Sequence, residues 1–298
     1  MTSEDRAHPG GPPEGPIATV VIWETLIAAF AVTFRDPALL LRAALGGLLL
    51  LAAANVIALF LPTGPFGLLL AIAAPLVAYT HFGVNWYRVI LQGPQGVVRP
   101  TLGWDRRHWL FLGAGLALGG GLTALGAALT KIAPLPPALA IILLLYVGTR
   151  FAFLFPAIAV AEPYGPGYAW RHSQGQGGRL TVLLLLAGLP LMLAVTMIVS
   201  LLFVALLGVS LYDMAALQAG AAGAPEARVS EIRGPGEDLA VSPLATLSVK
   251  MTAEALTMGV LAVLYSIVAL AFRTCTGWVP AARPPVPSDD AGDDSSSS

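Results

Sequence analysis

Two nearly unbroken apolar runs constrain this chain more than any other feature: "LLLRAALGGLLLLAAANVIALFL" at residues 39–61 and "LLLLAGLPLMLAVTMIVSLLFVALLG" at 183–208. Each matches the ~20 apolar residues that an α-helix needs to cross a bilayer. In lipid no water satisfies the backbone, so a spanning segment has to be a helix or part of a closed barrel. Composition agrees: 56% of the 298 residues are hydrophobic and 11% are charged. A soluble domain carries about a quarter charged residues, so this chain lacks the polar surface to coat a water-soluble globule. The expected fold is an all-α polytopic bundle.

Net charge is −1, which supplies no basic field for nucleic acid. The single cysteine, Cys275, excludes an intrachain disulfide and an all-cysteine metal site. The N-terminal "MTSEDRAHPGGPPEGP" lacks the positive start of a secretory signal, and no cleaved signal is expected. That stretch (1–16) and the acidic, serine-rich end (276–298) are expected to be disordered.

The spans are drawn at about 38–61, 66–91, 109–131, 137–160, 180–208 and 244–272, as three antiparallel hairpins. They are separated by "PTGP" at 62–65, "APLPP" at 133–137 and the polar stretch 210–242. Residues 17–34 form a further apolar segment containing Glu24 and ending at Arg35-Asp36-Pro37; an interfacial helix is expected, with a seventh span as the alternative. With the N-terminus inside, the inner segments hold Arg6, Arg35, Arg42, Arg88, Arg99, Arg106, Arg107, Arg171, Arg179, Arg273 and Arg283, against Lys131, Arg228 and Arg233 outside. This positive-inside asymmetry predicts that both termini are cytoplasmic. Each returning span carries an aromatic-flanked arginine (Arg88, Arg150, Arg273), a faint three-fold pattern that positive-inside selection generates without any repeat.

Arg150 stands in "YVGTRFAFLFPAIAVAEP", residues 146–163, with Pro156 beyond it. An arginine at this depth either pairs an anionic headgroup or substrate, or snorkels and donates hydrogen bonds between helices. Pro156 predicts a bend. Lys250 and Glu254 are spaced i, i+4 and predict an ion pair, either beneath an outer loop or lining an outward cavity. His81 and Asn85 lie one turn apart and predict interhelical hydrogen bonding, or else a ligand site. No second histidine stands at metal-ligand spacing. Trp86-Tyr87 and Trp104 with Trp109 read as an aromatic belt. Residues 113–130, with Gly115-x-x-x-Gly119 and Gly113-x-x-x-Ala117-x-x-x-Gly121, predict close helix packing in the bundle, or a homodimer face. Trp170, Arg171, His172 and Arg179, in "EPYGPGYAWRHSQGQGGRL", suit a surface helix against anionic headgroups. No nucleophile elbow, catalytic triad or paired intramembrane aspartate stands out, so neither catalytic residues nor a cofactor or metal is assigned.

The segments "NWYRVILQG", "RFAFLFPAIAV", "AWRHSQG" and "LYSIVALAFRTC", in that order, resemble a loose group of bacterial six-span membrane proteins. These are similar to the membrane domain attached to some glycerophosphodiester phosphodiesterases and to related uncharacterised inner-membrane families. The resemblance covers about residues 17–275 and implies a helical inner-membrane bundle without an assigned activity. The phosphodiesterase catalytic domain has no counterpart here, so that activity is not carried over. The resulting expectation is a non-enzymatic scaffold or envelope-associated protein, its arginine and aromatic rim engaging anionic lipid or a protein partner. The alternative is a permease for a small or lipid-like substrate.

Overall fold

A computed structural model describes residues 18–60, 64–94, 103–132, 136–162, 165–207 and 243–280. Among them are nine helices and no strands. They are α1 (Ile22–Arg35), α2 (Pro37–Phe60), α3 (Pro65–Gln92), α4 (Arg106–Ile132), α5 (Pro137–Phe151), α6 (Leu154–Ala159), α7 (Pro166–His172), α8 (Gly177–Leu207) and α9 (Pro243–Thr276). Most of both termini and the loop 210–242, on which several expectations rest, lie outside the described residues.

The helix ends follow local chemistry. α2, α3, α5, α7 and α9 all open on proline, whose fixed φ suits the first helical position and whose missing N–H costs nothing there. Asp36 caps α2 by accepting the Leu39 N–H at 3.0 Å, and Asp105 caps α4 by accepting the Arg107 N–H at 2.9 Å. α3 stops at Gly93, whose φ of +83° a residue with a Cβ adopts poorly.

Six of these units are long and apolar enough to cross a membrane: α2, α3, α4, α5 with α6, α8 and α9. They pair as three antiparallel hairpins, α2 with α3, α4 with α5, and α8 with α9. α1 has 14 residues, about 21 Å at 1.5 Å per residue, too short for a core of ~30 Å, so the seventh-span alternative is not realised. It packs along α9 and α8 through Ala29 and Thr33.

α9 is the central element: over half of its spanning window is buried, against 6% for α4. Small residues allow this. A Cβ on Gly47 of α2 would lie 2.9 Å from both the Ala78 carbonyl oxygen and Met258 Cε, so three helices meet where only glycine fits. Trp86 Nε1 donates to the Ala262 carbonyl at 2.9 Å and to Ser266 Oγ at 3.0 Å, and Ser266 in turn pairs with Thr33 Oγ1 at 3.0 Å. Trp86 and Tyr87 are therefore core residues, correcting their reading as interfacial belt: their face of α3 looks toward α9. Trp109 is exposed, as a lipid-facing ring would be.

The fourth span breaks at Ala152–Phe153. Pro156 has no N–H for the carbonyl four residues earlier, that of Ala152, which accepts instead from Phe155 at 3.3 Å. The break re-aims the short helix α6 toward α3 and α4. α6 then ends on Ala161 in the left-handed region (φ +62°), with the Glu162 N–H reaching the Ala157 carbonyl at 3.0 Å.

Candidate functional site

A groove of about 1040 Å³ runs between α4 and the broken α5–α6 unit. Its wall is apolar: Leu110, Ala114, Leu118 and Leu125 from α4 face Val147, Phe151, Leu154 and Ile158 across it. Leu110 to Leu125 spans about 22 Å of helix, most of a hydrocarbon core. Gly113 and Gly121 form part of the floor, and a Cβ at either, or at Gly119 or Gly120, would meet nothing within 4 Å. Within the small-residue stripe, Gly113, Ala117 and Gly121 line the groove, whereas Gly126 faces α5, where a Cβ would lie 3.2 Å from Leu144 Cδ1. The expected bundle packing is thus met at Gly126 and not at Gly113 or Gly121, and a tighter approach occurs at Gly47 of α2.

Charge is confined to one end, where Asp105, Arg106, Arg107 and Glu162 line the mouth. Arg107 makes a long hydrogen bond of 3.4 Å to the Ala159 carbonyl at the end of α6. Arg106 is exposed and has no side-chain partner among the described residues. Glu162 Oε1 accepts the Trp278 Nε1–H at 2.9 Å, which docks the residues after α9 beside the mouth. Asp105 Oδ1 lies 2.7 Å from His108 Nδ1. Partial burial pushes the Asp105 carboxyl upward, but the His108 side chain and the Arg107 and His108 amides outweigh this and hold it below the usual carboxylate range.

The nine residues singled out from sequence fall into separate places, and none lines this groove. Arg150, 4% exposed, donates Nη1 to the Ser173 carbonyl at 2.7 Å and Nη2 to the Trp170 carbonyl at 3.0 Å. Its guanidinium carbon sits 4.3 Å from the centre of the Trp170 ring, and Ser173 Oγ lies 2.9 Å from the Arg150 carbonyl as donor. Arg150 is thus the interhelical donor of the two readings, clamping α7 beneath α5. Arg171 is exposed, while Arg179 reaches the Val20 carbonyl at 3.3 Å and holds the chain leading into α1.

His81 and Asn85 bond each other at 3.0 Å, and the His81 ring stacks on His108 with centroids 5.3 Å apart. His108 stacks in turn on Trp104 at 5.0 Å. Arg88, half-buried, lies within electrostatic range of Arg107 and Asp105. Lys250 is exposed, and Glu254 is hydrogen-bonded by the Tyr79 hydroxyl. The expected Lys250–Glu254 pair is absent among the described residues, because Glu254 faces α3 while Lys250 turns outward. Arg88, Arg150 and Arg273 occupy half-buried, buried and exposed settings, so the three-fold pattern has no counterpart in their environments.

Sequence reading missed the pairing of the glycine stripe with the Asp105–Arg107 mouth. The signal was present as "GWDRRHW" running directly into "LFLGAGLALGGG", a charged collar opening a small-residue helix. No family model, curated protein or solved structure matches the chain.

Proposed function

We propose that this protein is a non-enzymatic bacterial inner-membrane protein that holds a glycerophospholipid in the α4–α5–α6 groove, headgroup at the arginine-rich end. The carrying observation is one groove of about 1040 Å³, apolar over about 22 Å and with its charged lining gathered at the mouth. A ligand with that division of polarity is a lipid: acyl chain along the glycine floor, phosphate level with Arg106 and Arg107. The volume is at the upper end of ~300–1,000 Å³ ligand sites. The motif resemblance to six-span inner-membrane bundles supports the bacterial setting. The arginine asymmetry supports a cytoplasmic position for the mouth and both termini. A permease reading built on His81, Asn85, Arg150, Lys250 and Glu254 needs those side chains around one cavity, and they are dispersed.

The test is lipid retention by the Gly113→Leu/Gly121→Leu double variant. Both new side chains enter open groove space, so the fold is expected to persist while co-purified phospholipid, counted by native mass spectrometry, falls to the level of a detergent-washed control. Unchanged retention would overturn the proposal. Orientation is checked separately with an impermeant maleimide: a Lys131→Cys variant should label in intact cells and an Arg106→Cys variant only after permeabilisation. The reverse pattern would refute the cytoplasmic mouth. Cys275 is buried and contributes little background.

A further inference from the structure

The groove mouth carries charge of both signs. Asp105, Arg106 and Arg107 stand where α4 begins, and Glu162 stands on the facing wall, just beyond α6. The two walls come close here: Arg107 Nη1 lies 3.4 Å from the Ala159 carbonyl, at the end of the helix that leads into Glu162. Yet among the described residues neither arginine forms an ion pair with Glu162. The mouth holds guanidiniums and a carboxylate that do not neutralise one another.

The two carboxylates are not equivalent. Asp105 Oδ1 is engaged by the Arg107 and His108 amides and by the His108 ring. The Glu162 side chain accepts one hydrogen bond among the described residues, that from Trp278 at 2.9 Å. An ionised carboxylate has about four acceptor positions, so most of its capacity is left. Glu162 is also half-buried, which strips away part of the water that would fill those positions.

A ligand for this mouth therefore needs an anion for Arg106 and Arg107 and, a short linker away, a cation that donates hydrogen bonds to Glu162. The lining itself is balanced, two guanidiniums against two carboxylates, so a headgroup of zero net charge keeps it balanced and an anionic one does not. Phosphoethanolamine meets both conditions, with a phosphodiester and a primary ammonium. Phosphatidylglycerol brings the anion alone, and the quaternary ammonium of phosphatidylcholine has no N–H to donate.

We infer that the mouth selects phosphatidylethanolamine, its phosphate held by Arg106 and Arg107 and its ammonium by Glu162. The inference rests on the lipid-groove reading and adds to it the class of headgroup and the residue that recognises it.

The test is competition among phosphatidylethanolamine, phosphatidylglycerol and phosphatidylcholine of identical chains for the purified full-length protein, read by native mass spectrometry. Wild type is expected to retain phosphatidylethanolamine about tenfold over either competitor, the worth of one charge-assisted hydrogen bond. Glu162→Gln keeps an oxygen for the Trp278 N–H and removes the charge. It should cut the preference to about twofold or less while thermal melting confirms the fold. Trp278→Phe, which breaks the contact and leaves the carboxylate, should keep the preference; loss in both variants would make Glu162 a structural latch and overturn its recognition role. Equal retention of phosphatidylethanolamine and either competitor by wild type, or a preference that Glu162→Gln retains, overturns the headgroup inference and leaves the groove reading standing. If Gly113→Leu/Gly121→Leu releases none of the three lipids, the groove reading itself fails. Glycerophosphoethanolamine, the same headgroup without chains, should not displace the lipid at equal concentration. Displacement would assign the mouth to a soluble phosphoamine and overturn the lipid source.

Discussion

The guanidinium of Arg150 lies 4.3 Å from the centre of the Trp170 ring and also donates to the Trp170 carbonyl at 3.0 Å. One residue thus grips the other by face and by backbone, and Ser173 closes the grip from the opposite direction with its hydroxyl on the Arg150 carbonyl. The charge looks exceptional in sequence because it stands in an apolar span. In the fold it is spent on the carbonyls of the short helix α7, which tuck beneath α5 where a membrane helix would otherwise end.

Arg150→Ala is expected to destabilise the protein by on the order of 3 kcal/mol, because buried carbonyls lose charge-assisted donors. Arg150→Lys should recover only part of this, since an ammonium cannot present a planar fork to two carbonyls and a ring at once. Hydrogen exchange over residues 166–176 and detergent melting curves are the readouts. An Arg150→Ala protein that melts like wild type, with α7 still protected, would refute the clamp.

Glycines of equal sequence appearance should respond in opposite ways. A Cβ on Gly177 would lie 2.8 Å from Arg150 Cδ and 3.2 Å from Tyr146 Cε2, so Gly177→Ala should cost about 1–3 kcal/mol through overpacking. Gly121→Ala meets open space and gains helix propensity, so it should be neutral or stabilising by up to ~1 kcal/mol. Thermal melting of both variants in one detergent decides it.

Glu254 should couple to Tyr79 and not to Lys250. A double-mutant cycle with Tyr79→Phe and Glu254→Gln is expected to show an interaction of about 1 kcal/mol or more. The cycle with Lys250→Ala and Glu254→Gln should close to within ~0.5 kcal/mol. Coupling to Lys250 as large as that to Tyr79 would mean that the i, i+4 ion pair forms after all.

The Asp105 carboxyl is held below its ordinary value, so its contribution to stability is present above the unfolded value of about 3.9 and is lost as pH falls through the folded value. Melting temperature should therefore drop on acidification below about pH 4. Asp105→Asn, which preserves a good helix cap, should flatten that part of the profile. The effect will be small, because the side chain is half exposed. A profile identical in wild type and variant would remove Asp105 as the titrating group.

Hydropathy by itself determined the number of spanning helices and their approximate extents, to within about four residues at each end, because in lipid the backbone must close its own hydrogen bonds within each segment. The prolines that open α2, α3, α5, α7 and α9 made several starts legible, since their constraint is local. The brevity of 17–34 was equally local. Which face of a helix meets another helix was not, because α2, α4, α8 and α9 are apolar almost all round, so periodicity carries little orientation in lipid. Only the tertiary structure could decide that Trp86 turns inward to Ser266 and Ala262, that Gly47 and not Gly121 is where helices touch, and that Glu254 meets Tyr79. The groove belongs to that second class: it exists because Pro156 breaks the fourth span opposite a glycine-rich α4, a relation between two helices that neither sequence segment contains alone.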